Sequence, residues 1–145
     1  MIPPSVIASV GRQQARRFFS KCPNSKSCIY MANYDFPDLV KAQLSVIDRR
    51  FLATRIGFAT NIEERKSAIN VGNPLNLHFE PFFCDEPNIF KKYWHAQFCQ
   101  NRMKGEWFLL EEIDKEMLRV VMQEYQMTGV FLGDRKLFDK IAKCT

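Results

Sequence analysis

A phenol, two guanidinium groups, an imidazole and a carboxylate occur in order along this 145-residue chain, as Tyr30, Arg55, Arg65, His95 and Glu106. That set suits phosphodiester chemistry. An arginine fork matches phosphate oxygens, a histidine titrates near neutrality, and a carboxylate can hold a divalent ion. A tyrosine serves as a base near neutrality only where neighbouring cations favour the phenolate. Arg55 can contact a phosphate but cannot be a base, because its guanidinium stays protonated. Lys91, Lys92, Arg102 and Lys104 add a basic strip to the same stretch, which suits phosphate contact. Each group also has a plainer role open to it: Arg65 paired with Glu63 or Glu64, Tyr30 as a core ring with its hydroxyl at the edge, His95 in solvent, Glu106 accepting from backbone amides, the strip as a wetted face. Trp94 and Trp107 read as core side chains rather than stacking platforms.

The elements that must carry these groups follow from periodicity and capping. Pro3-Pro4 opens a first helix running to about Phe19, and Cys22-Pro23-Asn24-Ser25 breaks it. Residues 27–32 read as a strand holding Tyr30, and 53–58 as a second holding Arg55. Between them, 36–50 suits a helix by spacing but also an extended excursion. Thr60 is placed to cap a helix with Glu63 reaching back, and Ile62, Arg65 and Ile69 share one side of it. Residues 75–83 alternate as a third strand, with Leu75, Leu77, Phe79 and Phe83 on one face. Pro87 then starts a helix to about 101 that buries Phe90, Trp94 and Phe98, leaving Lys91, Lys92 and His95 on its polar side. A short strand at 106–110 is followed by a helix at 113–127 with Met117, Val120, Val121 and Tyr125 inward. Gly129 ends it, and Asp134 caps a last helix packed through Leu137, Phe138 and Ile141. The sum is an α+β fold: a small three- to four-stranded mixed sheet flanked by helices.

Composition narrows the class. A chain of 17.0 kDa with 46% hydrophobic and 26% charged residues fits one globular core. No apolar run is long enough to cross a bilayer. The net charge of +5 is carried by the N-terminal segment, where Arg12, Arg16, Arg17, Lys21 and Lys26 stand with no acid before Asp35. Three readings fit: an electrostatic arm for nucleic acid, an Arg-rich presequence with Arg17-Phe18-Phe19-Ser20 resembling a mitochondrial processing site, or a basic amphipathic surface helix. Five cysteines without a Cys-x-x-Cys pair, and only two histidines, argue against a disulfide framework or zinc knuckle and for an intracellular, reducing compartment.

Several pieces carry a family resemblance: Cys28-Ile29-Tyr30, then Arg55-Ile56-Gly57-Phe58-Ala59-Thr60-Asn61-Ile62-Glu63-Glu64-Arg65, then Asn73-Pro74-Leu75, then His95-Ala96-Gln97-Phe98, and finally Arg102-Met103-Lys104-Gly105-Glu106-Trp107-Phe108. This ordered set resembles the GIY-YIG endonuclease superfamily, in particular the short phage and fungal branch whose second motif reads Lys-Ile-Gly and whose domain closes on Gly-Glu-Trp-Phe. The likeness covers 27–112. It leaves 1–26 as a basic N-terminal helix or presequence and 113–145 as a C-terminal helical extension.

The resemblance implies metal-dependent hydrolysis of DNA, with RNA as a second candidate substrate and the nucleus or mitochondrion as a destination in a eukaryotic cell. It implies Tyr30, Arg65 and His95 as catalytic groups, phosphate contacts from Arg55, Lys91, Lys92 and Arg102, and Mg2+ or Mn2+ as cofactor with Glu106 as the carboxylate available to hold it. Two departures qualify this. Cys28 stands in place of the first motif's glycine, with 33–52 as an insertion before the second motif. Lys91 stands where the family's metal-binding glutamate lies, one turn before the histidine. An ammonium about 4 Å from a divalent ion costs on the order of 8 kcal/mol at an effective dielectric of about 20. The alternative is therefore a catalytically inactive nucleic-acid-binding or protein-interaction module on the same scaffold.

Overall fold

The computed structural model describes residues 26–47, 52–71 and 77–144. The N-terminal helix and the basic leader expected over 1–25, and Asn73-Pro74-Leu75, lie outside the described residues. In chain order the elements are β1 (Cys28–Tyr34), α1 (Asp38–Ile47), β2 (Thr54–Ala59), α2 (Ile62–Asn70), β3 (Leu77–Phe83) and α3 (Pro87–Gln97). A 3-10 turn (Cys99–Asn101) then leads to β4 (Arg102–Lys104), β5 (Trp107–Phe108), α4 (Glu112–Thr128) and α5 (Arg135–Lys143). The α+β class agrees with the sequence reading. The sheet differs from it: five strands lie in the order β3-β1-β2-β5-β4, and every pair is antiparallel.

β1 is the central strand, and its composition explains why. Cys28 to Ala32 are buried to within 1%, as a continuous apolar run demands when both faces are covered. Ile29 and Met31 point into the larger core with Ile56, Phe90, Tyr93, Trp94, Phe108, Leu118 and Met122. Cys28, Tyr30 and Ala32 point into a second cluster with Ala59, Ile62, Leu77 and Phe79. α1 occupies the stretch between β1 and β2, which nevertheless pair directly, with Tyr30 opposite Gly57 and Ala32 opposite Arg55. A 2.6 Å hydrogen bond from Thr54 Oγ1 to Asn33 Oδ1 fastens the end of that ladder.

Caps set the helix limits. Asn61, rather than Thr60, caps α2, its side chain accepting from the amides of Glu63 and Glu64; an amide oxygen reaches these donors as well as a hydroxyl does. Asp134 caps α5 through the Leu137 amide, and Gly129 closes α4. On α4 the inward face is Leu118, Val121, Met122 and Tyr125, while Met117 and Val120 are 38% and 48% exposed. The apolar residues of this helix exceed what one face can bury, so spacing alone did not fix its rotation. α4 is tied to β3 by Arg119, whose Nε and Nη2 each donate to a Glu80 oxygen at 2.8 Å. Leu137, Phe138 and Ile141 of α5 pack on the same large core, so both C-terminal helices cover the face that α3 begins.

Candidate functional site

Of the groups singled out above, Arg55 and Lys91 meet at Glu106. Gly105, in the left-handed region at φ 59 with open space where a Cβ would stand, turns the chain from β4 into β5, a conformation glycine adopts without strain. The turn brings Glu106 beside β2, where its carbonyl accepts from the Ile56 amide at 2.9 Å. Its carboxylate is shared by two cations from different elements. Arg55 Nη2 of β2 donates to Oε1 at 3.0 Å, and Lys91 Nζ of α3 lies 3.3 Å from Oε2. All three side chains are about a quarter exposed, so solvent screens the pairs only in part. Each cation also lies over a ring: the Arg55 guanidinium carbon is 6.0 Å from the centroid of Trp107, and Lys91 Nζ is 4.9 Å from that of Phe58. Arg55 Nε is buried with no hydrogen-bond partner among the described residues.

Tyr30 belongs to the face of the sheet that carries Arg55 and Trp107, since Ala32 two residues on is opposite Arg55, and Arg55 opposite Trp107. Its ring is buried, 5.2 Å from that of Phe79. Burial pushes its phenol above the ordinary tyrosine range, and the charges of Arg55 and Arg65 offset this only in part, with Glu106 working in the opposite direction. Near neutrality it is a neutral phenol, a hydrogen-bonding group rather than a base. Arg65 stands on α2 as an exposed residue, bordering a shallow cavity with Thr60, Asn61 and Glu64. Spacing put Arg65 on the side of Ile62 and Ile69; Ile62 is buried, but the arginine head reaches solvent, as a long charged side chain does from the margin of an apolar stripe.

His95 is not a solvated histidine. Its Nε2 lies 2.7 Å from the Ile56 carbonyl oxygen, which can only accept, so Nε2 carries the proton. Its ring is 4.8 Å from Phe108, edge on. Burial lowers its affinity for a proton below the usual histidine range, against the Ile56 carbonyl and Glu106 and with the help of Lys91 and Arg102. Arg102 is exposed on β4, with Nε donating to the Gly105 carbonyl at 2.7 Å. Lys92 is turned elsewhere: it borders a groove with Leu137, Lys140 and Ile141 of α5. Cys28 is fully buried and its thiol is pushed up to about 11, mainly by burial, so it is an inert protonated side chain.

The residues present do not fit a resident divalent ion. Among the described residues no group of three metal-ligating side chains comes together, and both oxygens of Glu106 already face cations.

Trp107, read from sequence as a core side chain, packs partly buried against the smaller core cluster. Trp94 is fully buried as expected, but Trp107 is half-buried on the Tyr30 face, parallel to Tyr34 at 5.8 Å and 7°. With Arg55, Met103, Lys104, Gly105 and Glu106 it lines an open cavity of about 550 Å³. The signal available in the sequence was strand alternation, which places Trp107 opposite in direction to the buried Phe108. Comparison with protein-family models, curated proteins and solved structures finds no match for this chain.

Proposed function

We propose that this chain is a GIY-YIG-like domain that binds the phosphodiester backbone of DNA and does not cleave it by a divalent-metal route. The observation that carries this reading is the shared carboxylate: Glu106 is held between Arg55 and Lys91. Hydrolysis of a phosphodiester needs a deprotonated water and a cation on the phosphoryl oxygens. Here the pKa of the Tyr30 phenol is raised above its usual range, His95 donates its Nε2–H in a hydrogen bond to a backbone carbonyl, and the carboxylate is occupied by an arginine and a lysine. Binding asks for less. Arg65 and Arg102 are exposed, and Arg55 and Lys104 border the open cavity, a set of cations that suits successive phosphates.

Anisotropy of a labelled DNA, titrated over a range of salt, tests this. Affinity falls linearly with log salt, and Arg65→Ala lowers the slope by about one, the share of one phosphate contact. A plasmid-nicking assay with Mg2+ or Mn2+ supplies the opposing outcome. Nicking by the wild type that Arg65→Ala abolishes would replace this reading with an active nuclease, and absence of binding at low salt would leave a protein-interaction module.

A further inference from the structure

We infer that Glu106 is an internal stand-in for a phosphate: its carboxylate occupies the anion position between Arg55 and Lys91 until a phosphate of the DNA backbone displaces it. This rests on the DNA-binding reading above and gives that site a built-in competitor. Two cations from different elements converge on one anion, with Arg55 Nη2 at 3.0 Å from Oε1 and Lys91 Nζ at 3.3 Å from Oε2. A guanidinium and an ammonium that hold the two oxygens of a carboxylate suit two oxygens of a phosphodiester equally well. Each anion carries one negative charge, so the exchange leaves the local charge as it was. The carboxylate also leaves Arg55 Nε, which is buried, without a hydrogen-bond partner among the described residues; a phosphodiester brings further oxygens to the same guanidinium.

The surroundings let the side chain leave while the backbone stays. The Glu106 carbonyl accepts from the Ile56 amide at 2.9 Å, and the Gly105 carbonyl accepts from Arg102 Nε at 2.7 Å, so the turn is fastened at both residues. The Glu106 side chain is 27% exposed and lines the open cavity of about 550 Å³ together with Met103, Lys104 and Gly105. Rotation about its own bonds, between staggered wells, carries the carboxylate into that space. A carboxylate tethered in place acts at a high effective concentration, so a lone anion is a poor competitor. A phosphate on a backbone already held by Arg65, Arg102 and Lys104 is tethered too, and can displace it.

Anisotropy of a labelled DNA, titrated with the full chain over a range of salt, reads the exchange. Glu106→Gln removes the charge, whereas Glu106→Asp keeps it and shortens the reach by one methylene. Both variants are expected to bind several-fold more tightly than the wild type at low salt, with the dependence of log affinity on log salt steeper by about one, the share of one phosphate gained. The aspartate variant has the wild type's net charge, so its gain separates freed cations from a general charge effect, and it decides alone if the glutamine variant does not fold. Lys91→Met should lower the slope by about one in the Glu106→Gln background and by clearly less in the wild type, a departure from additivity that marks two groups in one site. Slopes unchanged in both Glu106 variants, or strict additivity with Lys91→Met, would overturn the stand-in and leave backbone binding standing. No binding by any of these chains at low salt overturns both.

Discussion

Tyr30 lies across Gly57 so closely that a Cβ built on the glycine would stand 2.5 Å from the phenol oxygen and 2.7 Å from the ring carbon bearing it. The two residues are direct cross-strand partners in the β1–β2 ladder, and the tyrosine is only 1% exposed. The absence of a side chain at Gly57 is thus what allows the Tyr30 ring to lie over that strand.

Gly57→Ala is therefore expected to destabilise the fold by about 2 kcal/mol, the range for forcing extra volume into a packed site. Tyr30→Leu removes the tip of the ring, so the alanine should cost less in that background, with a coupling of about 1 kcal/mol. Urea unfolding of the two single variants and the double variant measures this. Strict additivity would mean that the close approach is not what requires the glycine.

A pH dependence follows from His95. Burial depresses its proton affinity in the folded chain, whereas the unfolded chain titrates near 6.5. Between those two values the unfolded state binds a proton that the folded state does not. Stability is therefore fully present above about pH 6.5 and falls as pH drops through the folded-state value. Chemical denaturation across this window should show that decline, and His95→Gln should flatten it. An unchanged slope in the variant would assign the effect to other groups.

Lys91→Glu tests whether the ammonium beside Glu106 is what keeps a divalent ion from that carboxylate. The variant replaces the cation 3.3 Å from Glu106 with a second carboxylate, which gives the ligand count that magnesium usually requires. Calorimetry is expected to show Mn2+ binding in the variant, together with DNA affinity at least about tenfold weaker in metal-free buffer from the like charge placed near the backbone. A variant without metal heat would show that more than this one ligand separates the site from a divalent centre.

How far the sequence reaches can be seen element by element. The residues that begin α2 and α5 and end α4 act on backbone groups within a few positions of themselves, so these caps were legible to within one residue, with Asn61 taking the place of Thr60. The burial of β1 was legible because an unbroken apolar run has no face to give to water. β4 was not, because Arg102–Lys104 is exposed at all three positions and owes its conformation to pairing with β5 rather than to its own composition.

The sequence by itself determined the order of these groups and the lysine at position 91, while the need for a glycine at 57 and 105 comes from the Tyr30 ring over one and the left-handed turn at the other. Tertiary structure decided what those groups do. The Arg55–Glu106 pair joins residues 51 positions apart, and the direction in which Lys92, His95 and Trp107 point depends on which neighbouring element covers each face. Local rules act through adjacent backbone groups, whereas a charge is neutralised or left to meet a ligand by whatever the fold brings within a few ångströms of it.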